Sequence, residues 1–341
     1  MSAMTNGVSR RLLLRGGAAA TALGASLGAP SVLRAQSYPS RPITLVVPAA
    51  TGGYNDRLAR AFAPFLARQM GQPVTVANRP GGGTVLGNTY ALQQPLDGYT
   101  LIVTTATPNI PLGVLVRNAR FTIEDFWMVN LPSRDATLMA TSRDKPLQSI
   151  NDVIAALKRD PRSLVVGVQP NSADLVNLML LLQAHDIDRT RMRIVTYADG
   201  GGPARNATVG GVVDVGLAGG EGFLPLRERI RPLLTFSDER MEGFEDTPTL
   251  MEHAGEAGFQ GRFLAGSQRG VMVPTRLKDE QPAIYARILE AVEAATKDPE
   301  CVSTLRGQQL ATRWYGPEAS NRAYREASTL IAQHADMLRG R

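Results

Sequence analysis

The run Ile43-Thr44-Leu45-Val46-Val47, closed by Pro48, limits what this chain can fold into more than any other stretch. It is apolar and β-branched with no polar alternation, so both of its faces need cover, as in a strand of a parallel sheet. A glycine turn follows, Ala49-Ala50-Thr51-Gly52-Gly53-Tyr54-Asn55-Asp56, and then Leu58, Phe62, Phe65, Leu66 and Met70 recur at helical spacing. Asn55 or Asp56 can cap that helix, and Pro64 inside the pattern predicts a kink. The unit repeats with a strand at Val74-Thr75-Val76, a turn at Gly81-Gly82-Gly83, a helix from about Val85 and a strand from Thr100 to Thr104. Such a βαβ series predicts an α/β fold with helices on both faces of a sheet, whose ligands gather at the carboxyl ends of the strands.

A second series begins near the short strand Thr137 to Thr141, with a helix from Ile150 to Leu157 and a strand from Leu164 to Val168. It continues through a helix over Ala173 to Ala184, a strand over Arg193 to Thr196, a helix after Pro203, and strands over Val212 to Leu217 and Arg231 to Thr235. Near Gly270-Val271-Met272-Val273-Pro274 the chain is expected to return to the first lobe, which closes with helices over Pro282 to Thr296 and Pro317 to Leu338. The 341 residues suffice for two lobes of roughly 100–150 residues, each with its own core. The expected division is a first lobe over 36–141, a second over 142–262 and a return over 263–341. Two crossings make a hinge with a cleft between the lobes.

Residues 1–35 read as a signal peptide: Ser9-Arg10-Arg11-Leu12-Leu13-Leu14-Arg15 pairs two arginines with a leucine run, and a mild Ala/Gly/Leu stretch leads to Arg34. The adjacent arginines and weak apolar region point to twin-arginine (Tat) export, with an ordinary secretory signal as the alternative. Cleavage is expected after Ala35. These residues also carry four of the chain's 37 basic side chains and no acid, which leaves 33 bases against 31 acids beyond them. The formal charge of +6 therefore does not signal a nucleic-acid partner. With Cys301 alone, no internal disulfide can form, and His185, His253 and His334 stand in no metal-ligand spacing, so neither metal nor cofactor is expected.

Four turns at strand ends carry the candidate chemistry. Thr51, Gly52, Gly53, Tyr54 and Asp56 form the first, whose glycines let backbone N–H groups approach a ligand at the start of a helix. It lacks the lysine of a phosphate loop and the spaced glycines of a dinucleotide fingerprint, leaving an uncharged cradle suited to a carboxylate. Asn171 and Ser172 form the second, Tyr197 with Gly200, Gly201 and Pro203 the third, and Gly219 with Glu221 the fourth. Any one of them taken alone can be a tight turn or a helix cap with no ligand. No G-x-S-x-G elbow, H-E-x-x-H helix or placed Ser-x-x-Lys occurs, and the histidines read as surface residues. Asp56 and Glu221 remain a conceivable acid/base pair across the cleft. Cys301 reads as a small packing residue near a helix start.

Seven strings in register, from about Tyr38 to Leu338, give the chain a family likeness: Tyr38-Pro39-Ser40-Arg41-Pro42-Ile43; Gly52-Gly53-Tyr54-Asn55-Asp56 with Leu58-Ala59-Arg60; Gly71-Gln72-Pro73-Val74 with Asn78-Arg79-Pro80-Gly81; Asp97-Gly98-Tyr99-Thr100-Leu101; Glu124-Asp125-Phe126; Tyr197 with Gly200-Gly201-Gly202-Pro203-Ala204; and Gly211-Val212-Val213-Asp214-Val215. The chain resembles the substrate-binding receptors of tripartite tricarboxylate transporters, the Bug family. The resemblance implies a two-lobed, periplasmic-binding-protein-like fold (type II, Venus flytrap). It also implies capture of a small carboxylate (a dicarboxylate, aromatic acid or amino acid) and membrane permease subunits as partners of a monomeric, periplasmic receptor. By position it places Thr51, Gly53 and Asp56 in a first cradle, Thr105 and Thr107 at the first-lobe edge of the cleft, Ser172 in a second cradle, and Tyr197, Gly201 and Gly219 on the second-lobe wall. The chain departs from the family at Ala49-Ala50-Thr51, at Pro170-Asn171, at Asp174 where His is frequent, over Asn109 to Arg120, and at Ser133-Arg134-Asp135. A sensing receptor without a transporter and a cleft hydrolase or lyase using Asp56 or Glu221 stay open as alternatives.

Overall fold

The computed structural model describes residues 38–170, 172–197, 201–257 and 263–339. The signal segment and the candidate residues Asn171 and Gly200 lie outside them. From Tyr38 onward the chain forms one compact unit built on two five-stranded sheets. The first series comprises β1 (Ile43–Val47), α1 (Tyr54–Met70), β2 (Val74–Asn78), α2 (Val85–Leu92), β3 (Thr100–Thr107), α3 (Asn109–Arg117) and β4 (Phe126–Asp135). The second comprises β5 (Thr137–Ser142), α4 (Ile150–Arg159), β6 (Val165–Val168), α5 (Ala173–Ala184), β7 (Arg193–Thr196), α6 (Gly201–Val209), β8 (Val215–Gly219), β9 (Ile230–Phe236) and α7 (Leu250–Ala257). The chain ends with β10 (Ser267–Pro274), α8 (Thr275–Glu280), α9 (Pro282–Lys297), α10 (Pro299–Gly307), α11 (Gly316–Gln333) and α12 (Ala335–Arg339).

The first sheet runs β2-β1-β3-β10-β4 and the second β7-β6-β8-β5-β9. β1 lies parallel to β2 and β3, while β10 runs antiparallel between β3 and β4. In the second sheet β6 is parallel to β7 and β8, and β5 is antiparallel to β8 and β9. Thr137–Ser142 thus belongs to the second sheet, so the first crossing falls at Ala136 and not after residue 141. The return crossing passes through Gly266, whose φ is +79°; a Cβ there would stand 2.1 Å from the Asp135 carbonyl oxygen. The two crossings touch backbone to backbone, and only glycine fits between them.

Each sheet has a separate core. α1 turns Leu58, Ala59, Phe62, Phe65, Leu66 and Met70 onto Leu45, Leu101 and Val103 of the sheet and onto Ile288, Ala291 and Val292 of α9. Burial of each large side chain stabilises the fold by about 1.5–3 kcal/mol relative to exposure. Pro64 sits inside α1 without ending it. In the second lobe α4 and α5 cover β6, β8 and β9 through Val153, Leu157, Leu178 and Leu182 against Val166, Leu217 and Leu234. β4 is an edge strand, and α11 satisfies its open side: Asn321 accepts from the Met128 N–H (3.0 Å) and donates to the Met128 carbonyl (2.8 Å), and Ser320 accepts from the Leu131 N–H at 3.0 Å.

Several expected boundaries move. The strand expected over Val212 to Leu217 is β8, which starts at Val215 because Asp214 binds the Lys145 ammonium and the Val165 N–H. α6 begins at Gly201, two residues before Pro203, and residues 220–229 coil into a 3-10 stretch. The last helix is broken at His334 into α11 and α12. His185 and His253 are buried in the second lobe with ring centroids 5.6 Å apart, not on the surface as expected. Cys301 is fully buried in α10.

Candidate functional site

α1 starts from an extended Gly53 that offers no side-chain cap. Asp56, three residues in, was expected to face a ligand or to cap the helix; it is buried and turns backward. Its carboxylate accepts from the Gly52 N–H (2.8 Å), from Asn78 Nδ2 (3.0 Å) and from Arg60 Nε (2.9 Å), while Asn78 also donates to the Ala49 carbonyl. Burial by itself would raise the Asp56 pKa, but the hydrogen bonds from Arg60, Gly52 and Asn78 together outweigh it and hold the carboxyl below its usual range. Asp56 therefore fixes the turn to β2, and Thr51, Gly52 and Gly53 stay exposed above it. Among the described residues all partners of this carboxylate belong to its own lobe, and Glu221 is not one of them.

Behind this turn a polar row crosses three strands. Thr105 of β3 faces Arg269 of β10, which faces Ser133 of β4. Asn55 Nδ2 donates to Thr105 Oγ1 (3.0 Å), and the Arg269 guanidinium lies 4.6 Å from the centre of the Tyr54 ring. Arg269 Nη1 reaches Ser133 Oγ (3.3 Å) and Asp135 Oδ2 (3.4 Å). The Tyr54 hydroxyl accepts from the Ala311 N–H at 3.0 Å. Thr107 is buried at the end of β3, opposite Gln268.

The second lobe meets this row at the ends of β8 and α6. The Asp135 carboxylate accepts from the Glu221 N–H (3.3 Å) as well as from Arg269, so it joins the two lobes. Gly219 is packed so closely that a Cβ on it would stand 1.9 Å from Asp135 Oδ2. Arg205 of α6 lies along the same turn. A Cβ on Gly222 would fall 2.3 Å from its Cζ and one on Gly201 2.8 Å from its Nη1. Its one hydrogen bond among the described residues is a 3.4 Å contact from Nη1 to the Gly219 carbonyl, and no carboxylate among them stands within ion-pair reach. Burial lowers its pKa, with Asp135 and Asp174 opposing.

Ser172 caps α5: its hydroxyl accepts from the Leu175 N–H (3.2 Å) and donates to the Gln169 carbonyl (2.7 Å). Asp174, next to it, is buried and accepts from Thr137 Oγ1 at 2.8 Å; burial pushes its carboxyl up to about 6 despite that bond. Glu221 is pushed up to about 7, first by burial and then by Asp135, with Arg269 opposing. Tyr197 packs its ring against Gly167 of β6. A cavity of about 900 Å³ opens between the lobes, walled by Ala136, Glu221 and Leu224 on one side and by Leu310, Ala311 and Arg313 on the other.

The structure thus gathers Tyr54 and Thr105 with Arg269 on one lobe, and Gly201, Gly219 and Glu221 with Arg205 on the other. Ser172 and Asp56 instead serve the backbone beside them. Asp135, Asp174, Arg205 and Arg269 were not singled out as site residues; only the unusual occupancy of positions 135 and 174 hinted at two of them.

Two α/β lobes tied by two crossings, with polar side chains meeting between them, define a solute-binding protein of the periplasmic type. Residues 58–326 match the tripartite tricarboxylate transporter family receptor, and the chain belongs to that family. It is 27% identical over 288 residues to protein BugT of Bordetella pertussis, covering 83% of this chain and 85% of that one. Among solved structures, an R. palustris protein with adipate superposes with a TM-score of 0.68 at 26% identity, covering 89% of this chain and 98% of its own. MatC of Rhodopseudomonas palustris with bound malate gives 0.66 at 25% identity, covering 89% and 99%.

Proposed function

We propose that this receptor is exported by its first 35 residues, closes its lobes over a small carboxylate in the periplasm, and hands it to the membrane permease subunits of a tripartite transporter. The observation that carries the reading is Arg205, a half-buried guanidinium walled by glycines in the cleft, with no carboxylate among the described residues in ion-pair reach. Desolvating such a charge is costly unless an anion meets it, and an oxyanion there would accept two parallel N–H bonds. With the Gly52 N–H taken by Asp56, the exposed Gly53 and the first N–H groups of α1 behind it offer donors to the same anion from the other lobe. The adipate and malate held by two relatives are dicarboxylates of fitting size. Closure is then a population shift driven by contacts that only the closed form makes.

Calorimetric titration with a panel of dicarboxylates, aromatic acids and amino acids tests the reading. At least one acid should bind, and Arg205→Gln should weaken it by roughly 10- to 100-fold, the loss of one charge-assisted contact. Binding of no acid, or equal affinity in the variant, would count against it. Export that survives Arg10→Lys with Arg11→Lys would exclude the twin-arginine route.

A further inference from the structure

Charge in the cleft is distributed unevenly. Arg269 is already engaged: Asp135 and Ser133 accept from it, and it lies over the Tyr54 ring. Arg205, 5.9 Å from the centre of the Phe223 ring, has no carboxylate among the described residues within ion-pair reach. Glu221 is its opposite, a half-buried carboxylate with no cation among the described residues within 4.0 Å. Its backbone N–H donates to the Asp135 carboxylate, whose charge disfavours ionisation of the Glu221 side chain while Arg269 partly opposes. Arg205 packs against Gly222, the residue next to Glu221, and still the two side chains form no ion pair. Among the described residues, one turn therefore presents a cation and, one residue from the glycine it packs on, a carboxylate, neither of them in an ion pair. Glu221 also lines the interlobe cavity, which gives a solute access to it.

We infer that the solute is zwitterionic, its carboxylate meeting Arg205 and an ammonium group meeting Glu221 and Asp135; an α-amino acid is the simplest molecule of this kind. This rests on the carboxylate-receptor reading and narrows it. A dicarboxylate such as malate or adipate satisfies Arg205 but sets its second anion against Glu221 and Asp135, and like charges brought together in a desolvated site repel. An ammonium there neutralises both. The burial that raises the Glu221 pKa is consistent with a carboxyl that ionises fully only when a cation joins it.

Matched pairs of probes that differ only by the amino group decide the matter: succinate against L-aspartate, glutarate against L-glutamate, and 3-phenylpropionate against L-phenylalanine, titrated calorimetrically into the whole protein. In at least one pair the amino acid should bind ~10-fold or more tightly than its partner, and Glu221→Gln should shrink that ratio to about threefold or less while the melting temperature holds. Asp135→Asn should shrink it in the same direction. An acid that binds as well as its amino counterpart, or a preference that survives both substitutions, overturns the inference and leaves the receptor reading standing. If none of the six binds and the wider panel yields only an acid without an amino group, the zwitterion is equally excluded; if no acid binds at all, the receptor reading fails with it.

Discussion

Asn177 of α5 is fully buried and holds both crossings at once. Its Oδ1 accepts from the Leu264 N–H at 2.7 Å, and its Nδ2 donates to the Leu264 carbonyl (3.1 Å) and to Thr137 Oγ1 (3.0 Å). In Asn177→Ala the Leu264 N–H loses its partner, while the Leu264 carbonyl keeps only the Gly266 N–H at 2.6 Å, and Leu264 is only 1% exposed. The orphaned N–H costs ~1–3 kcal/mol and each of the two other lost hydrogen bonds ~0.5–1.5 kcal/mol, so the loss should be about 2–5 kcal/mol. At ~2–4 °C per kcal/mol for a domain of this size, the unfolding midpoint should fall by roughly 5–15 °C. Thermal melting and urea unfolding followed by circular dichroism read the effect directly. Asn177→Asp is a sharper probe: it retains an acceptor for Leu264 but turns a carboxylate toward Thr137, whose hydroxyl proton already goes to Asp174. That variant should be less stable than the alanine at pH 7 and recover part of the loss toward pH 5. A loss below ~0.5 kcal/mol for Asn177→Ala, the range of an ordinary surface change, would refute the assignment of this side chain as the pin of the hinge.

Three further outcomes follow from the geometry. Because burial raises the Asp174 carboxyl from 3.8 to about 6, the folded state holds its proton more tightly than the unfolded chain, so this group's contribution to stability should decline as pH rises through that interval and stay low above it. Asp174→Asn can still accept from Thr137, and urea titrations at pH 4.5 and 8 should show it flattening the decline; parallel slopes would contradict this. Cys301, whose thiol is pushed up to about 12 by burial and then by Asp298, should react with a thiol reagent on the order of 100-fold more slowly in the native protein than in urea, and rapid native labelling would show the site to be open. Gly266→Ala meets the Asp135 carbonyl at 2.1 Å with a φ of +79°, and urea unfolding should register a loss of more than ~2 kcal/mol.

The fold was legible wherever a local pattern carries the physics. The β1 run is apolar because both faces are covered, and the glycine turn and helical spacing after it give α1. Recognition of the four turns likewise needed only glycines at strand ends. The charged centre was not legible in this way. Arg269 reads as one arginine in a strand, and the partner that makes it functional, Asp135, lies 134 positions away. Arg205 looks like any helix arginine until Gly201, Gly219 and Gly222 close around it. Asp56 misled for the opposite reason: a carboxylate at a glycine turn suggests a ligand, yet Asn78, 22 positions on, takes it for the fold. Register failed where a side chain decided it, as at Asp214, which delays β8.

The placement of β10 between β3 and β4 bears on how the chain comes into being. β4 pairs with no strand of the first sheet except β10, so it has no ladder partner until some 130 further residues have been synthesised. Over that interval the second sheet can assemble completely, since its five strands lie within Thr137–Phe236. The lobe that begins first in the sequence is therefore the one completed last, and until then β4 presents two unpaired backbone edges. Its polar end, Ser133 and Asp135, is among the features that keep such an edge soluble, so the residues that shape the cleft also guard the nascent protein.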